Sequence, residues 1–190
     1  MREKIMTCYL LRHGKDNDQL RGGWSAAELT EQGILDIQML ADQIAQKANL
    51  NIKKIFASDL PRAKQTAEII ATTLKINVEY LPQFREANNG ILAGMDNETA
   101  SIQFPGLYWN TLEWDECYPS GESPHQFFDR ISTAWHNFKK MLKTADSNVL
   151  LITHGGVINV IYHMENGIPF SNKNKPFPIK ASEMISFEIK

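Results

Sequence analysis

The alternation of short apolar runs with longer segments of helical periodicity limits the fold of this chain more than any other feature. The runs at 7–11, 54–57, 78–81 and 149–153 have the length and the β-branched and aromatic content of strands, and 183–189 alternates as a final strand. Strands that alternate with helices pair in parallel and carry helices on both faces of the sheet. The sequence therefore predicts an α/β fold, a three-layer α/β/α sandwich with a mostly parallel central sheet.

Three of the predicted helices begin at recognisable start signals. Thr30 is a good N-cap and is followed by Glu31 in the first turn. Pro61 stands in a first helical turn, where its missing N–H is not needed, and Ser123 with Gln126 has the spacing of a capping box. These starts indicate where the preceding loops end.

The chain is expected to form one domain over 1–190, because no internal repeat, low-complexity tract or linker interrupts it. The stretch from about Phe84 to Gly121 is its least periodic part and contains several aromatic residues. We expect 88–120 to form a lid-like excursion over the functional site that the strand-end residues described below would form.

Charge and composition exclude several kinds of partner. The net charge of −2 and the pI of about 6.2 provide no global positive field for nucleic acid or anionic lipid. No stretch is long enough to span a bilayer, and the basic residues Arg2 and Lys4 precede an apolar run too short for a signal peptide. Cys8 and Cys117 form no CxxC pattern, which suits a reducing compartment. We expect a cytoplasmic protein that acts on a small molecule, and the sequence leaves its oligomeric state open.

Residues with catalytic chemistry follow the predicted strands directly. Arg12 and His13, then Arg62, Glu86 and His154 all come just after a strand, and in parallel sheets ligands bind beyond the carboxyl ends of the strands. Arginines hold phosphate oxygens, an imidazole supplies a nucleophile, and a carboxylic acid protonates a departing alcohol. Phosphoryl transfer is the chemistry that this set fits best, and no step in it requires a metal.

Five segments of the chain form an ordered series of motifs. They are R-H-G at 12–14, R-G-G-W at 21–24 with L-T-E-Q-G at 29–33, S-D-L-P-R-A-K-Q-T-A at 58–67, F-R-E at 84–86 with Gly90 and Gly94, and G-E-S at 121–123 with T-H-G-G at 153–156. In this order they resemble the histidine phosphatase superfamily, to which cofactor-dependent phosphoglycerate mutases also belong. The resemblance covers nearly the whole chain.

The resemblance implies a role for each strand-end residue. His13 would be the nucleophile that becomes phosphohistidine, and Arg12, Arg62 and His154 would hold the transferred phosphoryl group. Glu86 would protonate the leaving oxygen and then take a proton from the attacking water. The implied enzyme is a phosphatase of a small phosphate monoester, without cofactor or metal.

The loop after Gly14 departs from the pattern of the superfamily. Many relatives place Ser or Thr where this chain has Asp16, and offer the hydroxyl to phosphate. An ionised carboxylate cannot donate a hydrogen bond, so we expect Asp16 to turn outward or to contact Arg21. Gln19 stands where relatives often have Asn and is expected to offer its amide to the substrate. Arg21 is expected to be a further substrate contact.

Three other functions compete with a phosphatase that works through phosphohistidine. A mutase would return the phosphoryl group to a sugar acid while excluding water. Such enzymes are typically longer, so hydrolysis is favoured. A non-catalytic phosphate-binding or regulatory domain is supported by the departure from the pattern of the superfamily at Asp16. A metal-dependent hydrolase that uses His13, Asp16 and His154 is the least favoured, because the adjacent arginines would repel a cation.

Overall fold

The computed structural model describes residues 6–143, 146–174 and 177–189, so Arg2 and Lys4 lie outside it. Within these ranges the chain forms five strands and five α-helices. The strands are β1 Met6–Arg12, β2 Ile52–Ala57, β3 Val78–Tyr80, β4 Asn148–Thr153 and β5 Met184–Ile189. The helices are α1 Glu31–Gln46, α2 Pro61–Leu74, α3 Asn97–Gln103, α4 Pro124–Leu142 and α5 Gly155–Asn166. All five predicted strands are confirmed near their predicted bounds.

The five strands form one sheet in the order β3-β2-β4-β1-β5. The first four are parallel, and β5 pairs antiparallel with β1 at the edge. The central pair, β1 and β4, aligns Cys8 with Val149 and Arg12 with Thr153. Because these two strands end at paired positions, the residues that follow them leave the sheet side by side.

Helices cover both faces of the sheet, which confirms the three-layer α/β/α prediction. Helices α1 and α2 enclose one apolar core, and α4 and α5 enclose the other. Strand β4 supplies both, since Val149 and Leu151 enter the second core while Leu150 and Ile152 enter the first. This two-sided burial explains why the strand is a continuous apolar run. Among the described residues, no helix combines the length and the apolar character required to cross a bilayer.

The predicted helix starts are confirmed. The Thr30 side chain accepts a hydrogen bond from the backbone of Gly33, and Pro61 occupies the first turn of α2. Ser123 and Gln126 form a reciprocal capping box at α4. The start of α2 at Pro61 places the next residue, an arginine, in the first helical turn at the rim of the sheet.

The segment 88–120 leaves the sheet and returns to its starting point. The backbone N–H of Glu122 donates to the carbonyl of Asn88 at 2.8 Å, so the two ends of the segment lie together. The segment has a small apolar cluster of its own, built on Leu92, Leu112 and Tyr118. It also contains α3, a short helix that the sequence reading did not predict.

Candidate active site

The two central strands bring two histidines together. His13 follows β1 and His154 follows β4, and the backbone N–H of His13 donates to the carbonyl of Thr153 at 3.0 Å. Their ring centroids are 5.1 Å apart. Both side chains are buried, with 4% and 0% exposure. The sheet therefore holds two imidazoles side by side at its rim.

His13 is held in a defined tautomer. Its Nδ1 lies 2.7 Å from the carbonyl oxygen of Gly14, which can only accept, so Nδ1 carries the hydrogen. Nε2 then keeps its lone pair and accepts a hydrogen bond from Nε of Arg62 at 3.3 Å. Burial, with the nearby positive charges of Arg62 and Arg12, holds the pKa of His13 well below its usual value, although the bond to Gly14 opposes this. The ring is therefore neutral and nucleophilic at Nε2.

Arg62 is fixed from several sides in the first turn of α2. Its side chain is only 2% exposed. Nη1 donates to Oγ of Ser25 at 3.4 Å, and Nη2 donates to the carbonyl of Gly23 at 2.8 Å. Burial lowers the pKa of Arg62, while the carboxylates of Asp16 and Glu86 oppose this shift. The guanidinium remains charged at any working pH.

The expectation for Asp16 was wrong. Its Oδ2 lies 3.3 Å from Nε of Arg62, and its side chain is 22% exposed, so it neither contacts Arg21 nor turns fully to solvent. The physical reason is the burial of Arg62, because a buried guanidinium without a counter-charge is costly. Nε of Arg62 therefore has two different partners, a hydrogen-bond acceptor in Nε2 of His13 and an ionic partner in the Asp16 carboxylate.

His154 is also a neutral imidazole. Its Nε2 lies 2.8 Å from Oγ of Ser58, which itself accepts from the backbone N–H of Leu60 at 3.4 Å. In the tautomer whose Nε2 accepts from the Ser58 hydroxyl, Nδ1 of His154 carries the ring hydrogen. Burial, and then the charge of Arg62, keeps the pKa of His154 well below its usual value. The sequence reading noted Ser58 as part of a motif but missed this contact.

Arg12 lies over the start of α5. Its Nη1 donates to the carbonyl of Ile179 at 2.7 Å, and a β-carbon on Gly155 would lie 3.5 Å from its Nε. Within the described part of the chain, Nε of Arg12 and Nδ1 of His154 are both buried without a hydrogen-bond partner. Buried polar atoms without partners are rare in native proteins. A phosphoryl group carries the acceptors that such donors require.

Glu86 is held against the N-terminus of α5. It follows the 3₁₀ turn Pro82–Phe84, and its Oε2 accepts from the backbone N–H of Gly156 at 3.0 Å. Its Oε1 accepts from the backbone of Ala87 at 3.0 Å, and its carbonyl accepts from Nε1 of Trp24 at 2.7 Å. The carboxylate is half-buried. Main-chain and side-chain donors therefore fix both ends of this residue.

The sequence reading missed Arg130, which secures the loop that carries Glu86. From α4, its Nη1 donates to the carbonyls of Gln83 and Arg85 at 2.9 and 3.1 Å, and its Nη2 donates to the carbonyl of Glu86 at 3.1 Å. The guanidinium also pairs with both carboxylate oxygens of Glu122, at 2.6 and 2.9 Å. One side chain thus joins α4 to the backbone on both sides of Glu86.

A cleft of about 370 Å³ opens beside Glu86. The segment 88–120 supplies its aromatic wall through Tyr108, Trp109 and Tyr118, and Arg21 lines the cleft beside Tyr108. The guanidinium of Arg21 lies 4.3 Å from the centre of the Tyr108 ring. The cleft therefore offers aromatic surface and one cation next to a carboxyl group.

Gln19 lies outside this arrangement. Its side chain is exposed, its backbone N–H donates to Asn17 at 3.0 Å, and its carbonyl accepts from Asn97 at 2.9 Å. Gln19 does not line the cleft, whereas Arg21 does. The structure thus gathers the strand-end residues at one rim and places Arg21 beside them.

Taken together, the site presents a neutral nitrogen nucleophile, fixed positive donors around it and a carboxyl group at the edge of a cleft. Among the described residues, no three His, Cys, Asp or Glu side chains lie close enough to share one metal ion. Such a site can transfer a phosphoryl group through a covalent intermediate on nitrogen.

Comparison with known proteins gives one family over nearly the whole chain. The family model described as "Histidine phosphatase superfamily (branch 1)" matches residues 8–188. Curated relatives named "Probable phosphoglycerate mutase GpmB" include one from Cronobacter sakazakii, 32% identical over 171 residues, and one from Escherichia coli O1:K1, 30% identical over 178 residues. Each match covers 87% of this chain and 77% of the relative.

Solved structures of similar fold are named as phosphatases. The alpha-ribazole phosphatase from Shigella flexneri superposes with a TM-score of 0.80 at 21% identity, over 95% of this chain and 89% of the other. The mycobacterial glucosyl-3-phosphoglycerate phosphatase has a TM-score of 0.78 at 21% identity, over 97% and 91% of the two chains. At this identity the likeness is one of fold.

Proposed function

Because the chain belongs to the histidine phosphatase superfamily, we propose that it hydrolyses a small phosphate monoester through a phosphohistidine on His13. The observation that carries the proposal is the state of the His13 ring. Its Nε2 lone pair is free of a proton and faces the Arg62 guanidinium at 3.3 Å. A nucleophile that is neutral and lies beside a fixed cation is suited to attack an anionic phosphate.

The first chemical step forms the phosphohistidine. Nε2 of His13 attacks phosphorus, the ester P–O bond breaks, and Glu86 in its acid form donates a proton to the leaving oxygen, which departs as an alcohol. Arg12, Arg62 and His154 hold the phosphoryl oxygens during the transfer. The lack of a hydrogen-bond partner at two buried atoms, Nε of Arg12 and Nδ1 of His154, supports this assignment.

The second step returns His13 to its starting form. Water attacks the phosphorus, the P–N bond breaks, and the Glu86 carboxylate takes the proton from the water. Inorganic phosphate leaves, and Glu86 is again an acid. All proton movements use this one carboxyl group, and neither a metal nor a cofactor takes part in them.

The cleft is the proposed binding place of the alcohol portion of the substrate. The segment 88–120 covers this side of the site as a lid-like part of the single domain, and Arg21, which stacks on Tyr108, contacts the substrate from the same wall. The contribution of Tyr108, Trp109 and Tyr118 to the cleft supports this assignment. A volume of about 370 Å³ suits a small phosphorylated metabolite.

The same proposal places the protein in a reducing cytoplasm. Both cysteines support this placement, since Cys8 is a buried free thiol and Cys117 is an exposed one.

Trapping the covalent intermediate tests the proposal. The protein is mixed rapidly with a phosphate monoester, quenched in alkali, in which phosphohistidine survives, and measured by intact mass. We expect one added phosphoryl group, which peptide mapping assigns to His13, and no addition in His13→Asn. Binding of phosphate esters without labelling or turnover would instead identify a non-catalytic phosphate-binding domain.

Phosphoglycerate mutase activity is the second candidate, because curated relatives about 30% identical carry that name. A mutase must keep water from its phosphohistidine. Here the wall residue Tyr108 is 38% exposed and Glu86 is only half-buried, which favours water as the acceptor. The two activities are separated by offering 3-phosphoglycerate to the labelled enzyme and measuring the ratio of inorganic phosphate to phosphorylated sugar acid.

A further inference from the structure

Nε of Arg62 faces two partners, the His13 ring by a hydrogen bond and the Asp16 carboxylate by an ion pair. Nε2 of His13 and Oδ2 of Asp16 each lie 3.3 Å from Nε of Arg62. The other two nitrogens of the guanidinium already donate to Ser25 and Gly23. The orientation of Arg62 is therefore set by the protein, and Asp16 supplies its counter-charge beside the nucleophile.

Phosphorylation of His13 changes this balance. The Nε2 lone pair is then used in the P–N bond, so the Nε–H of Arg62 loses that acceptor and faces the phosphoryl oxygens. Those oxygens are negatively charged, as is the Asp16 carboxylate, and both are neutralised by the same guanidinium. Like charges that share one guanidinium oppose each other, and the opposition is strong in a partly buried site.

We propose that Asp16 is a charge gate of the phosphate pocket, whose carboxylate competes with phosphoryl oxygens for Arg62 and so weakens the binding of inorganic phosphate. This inference rests on the proposed phosphatase function, since it gives that enzyme a means of releasing its product. Asp16 acts on Arg62 rather than on the substrate, which makes it a positioning residue.

The solvent exposure of Arg62 and Asp16 determines which of the two side chains moves when phosphate binds. The side chain of Arg62 is 2% exposed, whereas that of Asp16 is 22% exposed in a loop whose neighbours Lys15, Asn17 and Asp18 are all exposed. When a phosphoryl group occupies the site, Asp16 therefore exchanges Arg62 for water, and Arg62 stays in place. When phosphate leaves, the carboxylate returns to the guanidinium.

Removing the charge tests the gate, and the same loop provides a matched control. Asp16→Asn keeps the shape of the side chain and removes its negative charge. Asp18→Asn removes a negative charge at an exposed position two residues further along the loop. Binding of inorganic phosphate and of orthovanadate is measured by calorimetry and by inhibition at constant ionic strength. We expect Asp16→Asn to bind both anions about tenfold more tightly and Asp18→Asn to stay within about twofold of the parent protein.

The sign of the change separates a gate from a structural residue. Loss of a structural contact would disorder Arg62 and weaken anion binding, whereas loss of a competitor tightens it. Asp16→Ser serves as a second variant and is expected to change affinity in the same direction. Unchanged or weaker phosphate binding in folded Asp16→Asn and Asp16→Ser would overturn the gate.

The gate and the phosphatase can fail separately. Phosphohistidine and turnover in the parent protein, with no gain of affinity in the Asp16 variants, would remove the gate and leave the phosphatase. Tighter phosphate binding in the variants, with no labelling of His13 in the parent protein, would remove the phosphatase and leave the competition at Arg62.

Discussion

The backbone N–H of Gly156 donates a 3.0 Å hydrogen bond to Oε2 of Glu86, and a β-carbon on Gly156 would lie 2.3 Å from Oε1 of the same carboxylate. The absence of a side chain at this position is thus what allows the carboxylate to rest against the start of α5. The neighbouring Gly155 has more space, because a β-carbon there would meet Arg12 only at an ordinary contact distance of 3.5 Å.

Gly156→Ala is expected to displace the Glu86 carboxylate without harming the fold. Alanine favours the helix over glycine by up to about 1 kcal/mol, so the free energy of unfolding should not fall. The value of kcat/KM for an alkyl phosphate should fall about tenfold to a hundredfold, a part of what a general acid contributes. Gly155→Ala is the matched control and should lose less than about threefold. Equal losses in the two variants would contradict the placement of Glu86.

Glu86→Gln should distinguish substrates by their leaving groups. An alkyl phosphate needs a proton on its departing oxygen, so its kcat should fall by about 10² to 10⁴. Nitrophenyl phosphate has a good leaving group and should lose far less. The measurement is the ratio of kcat values for the two substrates in the parent protein and in the variant. An equal loss on both would remove Glu86 from the role of acid.

Arg130→Lys should act through Glu86. Lysine keeps the charge but lacks the planar fork that joins Glu122 to the carbonyls of Gln83, Arg85 and Glu86. We expect a loss of about tenfold in kcat for alkyl phosphates. In the Glu86→Gln background the same change should cost little more, because the group that it positions is already inactive. Additive losses would show that Arg130 acts by another route.

Stability should fall at mildly acidic pH because of His13 and His154. Burial lowers the pKa of both imidazoles in the folded protein, and Arg62 lowers them further. Below about pH 6.5 the two histidines bind protons in the unfolded chain but not in the folded protein. Their contribution to the free energy of unfolding is therefore complete above that pH and is lost below it.

The size of the effect is measurable by urea unfolding. Each histidine should lower the free energy of unfolding by up to about 1.4 kcal/mol per pH unit as the pH falls below about 6.5. Comparison of pH 7.5 with pH 5.5 gives the slope, and His154→Gln should show a shallower one than the parent protein. Identical slopes would contradict a neutral buried His154. Acidic groups such as Asp59, whose pKa its hydrogen bond with Arg85 lowers, contribute only at lower pH.

Chelators should leave turnover unchanged. Each step assigned to the site uses nitrogen, oxygen and proton transfers by His13 and Glu86, and the positive charge comes from guanidinium groups. Phosphatase activity after prolonged dialysis against EDTA should therefore equal that of an undialysed sample. A loss that added Zn²⁺ or Mg²⁺ restores would establish a metal-dependent enzyme instead.

The sheet and its rim could be predicted from the sequence because their signals are local. The run 149–152 is continuously apolar since it is buried on both faces, and the capping of α4 by Ser123 depends on neighbours along the chain. The rule that ligands bind at strand ends then indicated where His13 and His154 would lie. Their burial and proximity follow from the register of β1 with β4.

The features that could not be predicted depend on contacts distant in sequence. Arg130 has the sequence pattern of an ordinary polar residue of an amphipathic helix, and the return of the 83–86 loop across α4 gives it its backbone acceptors. Helix α3 has one buried residue, Ala100, so it lacks the apolar stripe by which helices are recognised. Its local start signals are the N-cap Asp96 and the acidic Glu98 in the first turn. Asp16 was misplaced because the burial of Arg62 is not visible along the chain.

The pairing of Arg12 with Thr153 across β1 and β4 has an evolutionary consequence. Neighbouring strands lie about 4.8 Å apart in every β-sheet. The distance between the two imidazoles is therefore set by this nearly constant strand spacing and not by the conformation of a loop. The segment that walls the cleft carries no such constraint, since it departs from the framework and rejoins it at Asn88 and Glu122. Natural variation in 88–120 can therefore change substrate preference while the spacing of His13 and His154 stays the same.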